Sequence, residues 1–162
     1  MTQTAPLHDP AALTRHIETR YHARHREQLP ALAAMAEKVE IVHFGDDHVP
    51  EGLANLLEKM VGEMEVHMKK EELILFPAIR KGGTPSIETP IAVMRADHDD
   101  HAAELAEIRR LTGNLAVPDG ACGTLTELYS GLDEFITDLE EHIRLENDVL
   151  FPQFEQAVQV HG

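Results

Sequence analysis

Cysteine is nearly missing from this chain. A single residue, Cys122, rules out an intrachain disulfide and fits a reducing compartment. Aromatic residues are scarce at 4%, tryptophan is absent and β-branched runs are short, which favours helices over strands. Cations are the minority sign: 14 Lys and Arg stand against 29 Asp and Glu, a formal net charge of -15. A surface that acidic repels phosphate backbones and anionic lipid, so neither nucleic acid nor a membrane surface is an expected partner. Long apolar runs are missing too, and stretches such as 73–76 are far shorter than a bilayer span. Residues 1–10 hold no apolar stretch of the signal-peptide kind. The expectation is a cytoplasmic protein.

What the chain does have is Leu, Ala, Glu and Met in quantity, and 11 histidines. Its 162 residues make about one domain with room for a core, expected to span 1–162. Histidine is costly to bury without a partner, so the positions of these residues carry more information than their number.

Four segments have helical periodicity. The first runs from about Pro10 to Val42, with Asp9 at its cap and Pro10 in its first turn; Pro30 should kink or interrupt it. The second runs from about Glu51 to Arg80 and ends at Gly82-Gly83. The third runs from about Thr89 to Thr112, and the fourth from about Ala121 to Val158. Residues 44–50 and 113–120 read as loops. The fold class is therefore all-α: an up-down-up-down four-helix bundle.

The second and fourth segments repeat one another. Residues 67–77 read HMKKEELILFP and residues 142–152 read HIRLENDVLFP, with an ungapped offset of 75 between His67 and His142 and between Pro77 and Pro152. His22 lies 45 residues before His67, and His98 lies 44 before His142. Each half thus reads as a helix with His, a loop, and a helix with His-x-x-x-Glu. Two such helical hairpins related by a pseudo-twofold axis build a four-helix bundle.

Residues four apart lie one turn apart on one helix face, about 6 Å along the axis. His67 and Glu71 therefore point the same way, as do His142 and Glu146. Each imidazole is placed to bind one metal while its carboxylate reaches along the axis to bridge a second. His22 and His98 bring the imidazoles to four. This mixed nitrogen and oxygen set suits a pair of iron or manganese ions and does not suit a thiolate zinc site. A single His-x-x-x-Glu is an ordinary surface pair; two in register, each followed by Leu-Phe-Pro, are not. His25, one turn beyond His22, is expected outside the ligand set or in solvent. The spacing selects His98 over His101. His43 is expected along an access route, Cys122 as a small packing residue, and His8, His16, His48 and His161 in solvent.

With these residues assembled, the chain resembles the hemerythrin-like RIC family, repair of iron centres, whose members are described as di-iron proteins of iron–sulfur cluster repair. The resemblance covers nearly the whole chain and rests on YHARHREQLP (21–30), KVEIVH (38–43), HMKKEELILFP (67–77), PIAVMRADHD (90–99) and HIRLENDVLFP (142–152). It implies a hemerythrin-like bundle with two iron ions in its core, oxo- or hydroxo-bridged when oxidised. His22, His67, His98 and His142 would be terminal ligands, and Glu71 and Glu146 bridges. It implies restoration of clusters damaged by nitric oxide or peroxide, through iron donation or direct nitric oxide chemistry. Damaged iron–sulfur proteins are then the macromolecular partners, and nitric oxide or oxygen the small ligand. Whether the centre turns over, as a nitric oxide reductase would, stays open. Longer members carry an N-terminal domain with a paired-cysteine motif, and no such pair occurs here; a step using those cysteines is expected to be absent or supplied by another protein.

Three rivals are weighed. The oxygen-binding hemerythrins resemble this chain but have a His-x-x-x-His third helix, and the residue four after His98 is Ala102. Four imidazoles, two bridging carboxylates and a solvent bridge leave each iron about five-coordinate, which favours a reactive centre over a carrier. Ferritin-like oxidases use Glu-x-x-His, but Met64 and Leu139 stand where those glutamates would be. A helical module with a structural metal, or an acidic interaction domain, is the non-catalytic reading.

Overall fold

The structure is a computed structural model, and it describes residues 4–155. Those residues form four long helices. Helix α1 covers residues 10–42, α2 residues 53–80, α3 Glu88–Leu111 and α4 residues 123–153. Among the described residues there is no strand. Each helix packs on the next, and α4 returns to α1, so the four close into a bundle. The all-α expectation holds.

The ends follow local chemistry. Asp9 caps α1, its side chain accepting from the Ala12 N–H at 3.1 Å, with Pro10 directly after it. Helix α2 begins two residues later than expected, and its cap comes from outside: Glu40 of α1 accepts from the Gly52 and Ala54 N–H groups at 3.0 and 2.8 Å. A carboxylate there satisfies orphan donors and complements the helix dipole. At the other end Gly82, at φ 93°, turns the chain out of α2 while its N–H bonds the Ile79 carbonyl.

Two expectations need correction. Pro30 does not interrupt α1: Ala23–Val42 is helical through it. Pro30 sits on the exposed face, so the carbonyl it leaves without an N–H partner can face water. Helix α4 ends at Gln153, with Phe154 as its cap; the rest of the expected segment, 156–158, lies outside the described residues.

Three of the four helices contain a wide π-helical turn: Ile17–His22 in α1, Glu71–Leu75 in α2 and Leu145–Leu150 in α4. Buried residues show why. They run 67, 71, 75, 79 in α2 and 142, 146, 150 in α4, in steps of four. Three such steps in a regular helix would rotate the buried face by roughly 120°, at about 100° per residue. The extra residue of a wide turn removes most of that drift and keeps the series facing inward.

The core is divided. One apolar cluster, with Leu57, Met60, Met64, Leu132 and Phe135 at its centre, fills one part of the bundle. A second, with Leu13, Ile17, Leu75, Phe76, Ile91 and Phe151, fills another. In every helix the six expected ligands fall between stretches belonging to the two clusters, so they form a polar layer with apolar packing on both sides.

Candidate metal centre

His22, His67, Glu71, His98, His142 and Glu146 are each at most 3% exposed. Their donor atoms gather into two nests: His22, Glu71, His142 and Glu146, and His67, Glu71, His98 and Glu146, with the atoms of each nest within 4.8 Å of one another. Both glutamates belong to both nests. Glu71 presents Oε1 to His22 Nε2 at 3.0 Å and Oε2 to His67 Nε2 at 3.4 Å. Glu146 presents Oε1 to His98 Nε2 and Oε2 to His142 Nε2, each at 2.8 Å. One carboxylate oxygen per nest is the arrangement the 75-residue repeat leads one to expect of a bridging pair.

The donor set fits a pair of cations. His67 Nε2, Glu71 Oε2, His98 Nε2 and Glu146 Oε1 are buried and have no hydrogen-bond partner. Together they are the complete second nest. An unsatisfied buried polar atom costs about 1–3 kcal/mol, so four converging in one layer call for a cation.

The far nitrogen of every histidine is held. His22 Nδ1 contacts Glu72 at 2.7 Å, His67 Nδ1 contacts Asp97 at 3.0 Å, His98 Nδ1 contacts Asn147 at 2.7 Å, and His142 Nδ1 contacts His25 Nε2 at 3.0 Å. Such partners fix ring orientation and decide which nitrogen carries the proton. Glu72 is itself held by Arg26, which also grips Glu65. The repeated Leu-Phe-Pro acts here as well. Phe76 stacks on His22 at 5.8 Å and 11°, and Phe151 stacks on His98 at 6.0 Å and 4°. Each repeat's phenylalanine thus packs on the histidine of the helix before it in the same half.

Within the nests the glutamates pull three of the four imidazoles up, while burial pushes the fourth down. Burial works to lower His67, but the charges of Glu71 and Glu146, with the close approach of Glu71 and Asp97, outweigh it and push the imidazole up to about 9. His22 and His98 are raised by the same contest, through Glu71 and Glu146 respectively. Burial would raise Glu146, yet the neighbouring His98 and Glu71 hold it at about 2. His142 is driven well down, first by burial and then by His22.

The remaining histidines sort differently from expectation in places. His25 is buried and bonded to His142, outside the nests as expected but not in solvent. His101 is buried edge-on to His67 at 5.2 Å and belongs to neither nest. His16 is half-buried, with its ring edge on Tyr21, rather than fully exposed; His8 and His48 are exposed. His161 lies outside the described residues. His43 is not among the residues lining the cleft beside His67. It lies 21 residues beyond His22 on one helix, which is about 30 Å at 1.5 Å per residue. There its Nε2 contacts Cys122 Sγ at 3.2 Å and its Nδ1 contacts Asp46 at 3.1 Å. Cys122 is accordingly more than packing: it caps α4, accepting from the Leu125 N–H. A cleft of about 850 Å³ lies between α2 and α3, flanked by Lys59, Lys70, Asp97 and His101, and His67 is the one nest residue on its wall.

Residues 13–154 match the family model described as "Hemerythrin HHE cation binding domain". The chain is 50% identical over 149 residues to the "Iron-sulfur cluster repair protein YtfE" of Pectobacterium carotovorum subsp. carotovorum (strain PC1), covering 92% of this chain and 66% of that protein. It is 52% identical over 137 residues to the protein of the same name from Yersinia pseudotuberculosis serotype O:1b (strain IP 31758), covering 85% of this chain and 62% of the relative. The chain thus spans slightly under two thirds of the length of these relatives.

Proposed function

The chain belongs to the hemerythrin HHE cation-binding family, and from that premise we propose that it holds two iron ions and serves in the repair of iron–sulfur clusters in the cytoplasm, under nitrosative or oxidative stress. The observation that carries the reading is the pair of nests sharing Glu71 and Glu146. The ligands are His22 and His142 for one ion, His67 and His98 for the other, and the two glutamates for both. The name carried by relatives half identical to this chain supports the repair role. No helix among the described residues is long and apolar enough to cross a membrane.

Bound in the nests, iron supplies either itself, as cargo for a damaged cluster, or electrons to a small ligand such as nitric oxide. The chain's own residues set the conditions. The four Nε2 atoms must be free of protons to bind, and the raised His22, His67 and His98 support the reading that metal displaces protons there. Nitrogen and oxygen donors hold ferrous iron less tightly than later divalent metals, which suits a site that gives iron up. The cleft beside His67 is wide enough for small ligands, and its rim carries both charge signs.

The test is anaerobic loading with iron, quantitation, and mixing of reduced and oxidised protein with an apo iron–sulfur enzyme whose activity is followed, with nitric oxide consumption measured in parallel. Two irons per chain and recovery beyond that given by free iron are expected. Recovery no better than free iron, with no nitric oxide bound or consumed, would overturn the repair reading. Reversible oxygen binding would instead favour the carrier. Against the carrier stands Ala102, which lies on the exposed face of α3, so the position of a fifth histidine in the His-x-x-x-His pattern points away from the nests.

A further inference from the structure

The repeat offers two equivalent places for one more histidine. His25 follows His22 by three residues, as His101 follows His98, and both are buried. The structure uses them unequally. His101 stands edge-on to His67, at 84°, and the Nδ1 of His67 goes to Asp97 instead. His25 lies nearly parallel to His142, 5.2 Å away and at 20°, with Nε2 3.0 Å from His142 Nδ1. Phe135 packs edge-on against His25 at 5.5 Å, and Tyr21 stacks on His142 at 5.7 Å, so both rings are clamped. The Nδ1 of His25 is buried with no partner. Orphaning one side of a core histidine has a cost, and the single hydrogen bond it makes is to a nest residue.

Between two neutral imidazoles that bond admits one hydrogen, so their tautomers are tied together. If His142 carries its hydrogen on Nε2, it donates to Glu146, 2.8 Å away, and has no lone pair for a metal. His142 Nδ1 is then bare and accepts from His25 Nε2–H. If His142 carries the hydrogen on Nδ1, its Nε2 is free to ligate. His25 Nε2 must then be bare, and the hydrogen of His25 sits on Nδ1. We propose that His25 is the positioning residue that accepts the Nδ1–H of His142, holds it in the metal-binding tautomer, and exchanges its own tautomer when metal enters the nest. This rests on the metal-site reading above. It assigns His142 a partner unlike those of the other three ligands, which lean on carboxyl or amide oxygens.

The experiment uses the full chain and zinc, a diamagnetic probe, with histidine ring nitrogens labelled with ¹⁵N. In zinc-loaded protein, His25 should carry its hydrogen on Nδ1 with Nε2 bare; in metal-free protein the order should be reversed. Two variants complete the test. His25→Leu removes the acceptor and should weaken zinc retention about 10–100-fold, the usual cost of losing such a partner. His25→Gln returns an acceptor oxygen and should recover most of it, with the melting temperature of the metal-free forms alike. Should the leucine form fail to fold, the tautomer measurement and the glutamine variant still decide. A wild-type His25 tautomer unmoved by zinc, or Leu and Gln variants weakened equally, overturns the proposal while leaving the metal site standing. Wild-type protein that takes up no zinc sinks the site itself and this inference with it.

Discussion

Proton competition at His67 gives a measurable slope. With no cation between the nests, the glutamates hold this imidazole at about 9 against an ordinary 6.5. At pH 7 the ring is then protonated, and a metal entering its nest must expel that proton. Two pH units below the raised value correspond to about 3 kcal/mol, or about a hundredfold in apparent affinity. Zinc affinity, measured by competition with a chelator corrected for its own protonation, should rise at least tenfold per unit from pH 7 and level off above about 9. His22 and His98 are raised too, so each proton they surrender steepens the slope. Stability of the metal-free protein runs the other way. A folded pKa above the unfolded one stabilises fully below 6.5, and that contribution is lost as pH rises through about 9. The metal-free melting temperature should therefore fall over the interval in which metal affinity climbs. Affinity that is flat from pH 7 to 9 would refute the assignment of His67 Nε2 as a donor in competition with protons.

Three further outcomes follow from the same geometry. Glu71→Ala or Glu146→Ala removes a donor from both nests, so metal content should fall toward none rather than to one per chain; elemental analysis after gel filtration reads this directly. Phe76→Ala, at a fully buried position beside His22, should cost about 3–5 kcal/mol by chemical denaturation and also weaken metal retention, whereas a loss of stability alone would remove the stacking role. The Cys122 thiol is lowered from its ordinary 9.0 first by the Leu125 N–H and then by His43. Its alkylation rate should therefore half-saturate at a lower pH than a free thiol's, and His43→Ala should move that midpoint up; an unmoved midpoint would show the contact to be idle.

Why some of this was legible in the sequence and some was not has a physical basis. The ligands were readable because two His-x-x-x-Glu turns at a fixed offset are improbable on a surface helix, and because a repeat reports pairing in space. Leu-Phe-Pro was readable as a marker but not as a function, since stacking of Phe76 on His22 joins residues 54 apart on different helices. The wide turns left a trace, the steps of four through 71, 75 and 79, but a regular helix tolerates four-residue steps over short runs. The outer partners were hidden for a different reason. Glu72 and Asn147 sit directly after the repeat glutamates, and Asp97 directly before His98. On a regular helix adjacent residues diverge by about 100°, so nothing local marks them as reaching the neighbouring helix. Pro30 misled because proline's cost depends on which way the freed carbonyl faces, and periodicity does not give that.

The offset of 75 also shows where the halves stopped being alike. Glu72 corresponds to Asn147, and they hold corresponding histidines, His22 and His98. His67 leans on Asp97, but its counterpart His142 leans on His25. Both carboxylate-backed imidazoles thus belong to the first half, and both neutral-backed ones to the second. Carboxylate partners raise ligand basicity, so a nest built within one half would differ in strength from a nest built within the other. The nests are instead built across the halves, His22 with His142 and His67 with His98. Each therefore pairs one carboxylate-backed imidazole with one neutral-backed one and shares the same two glutamates. Glu71 and Glu146 are common to both nests, while Glu72 and Asp97 share their charge with Arg26 and Lys70 outside the layer. Divergence of the repeats has thus left the two positions balanced, and it has done so because neither hairpin alone supplies a complete set of donors.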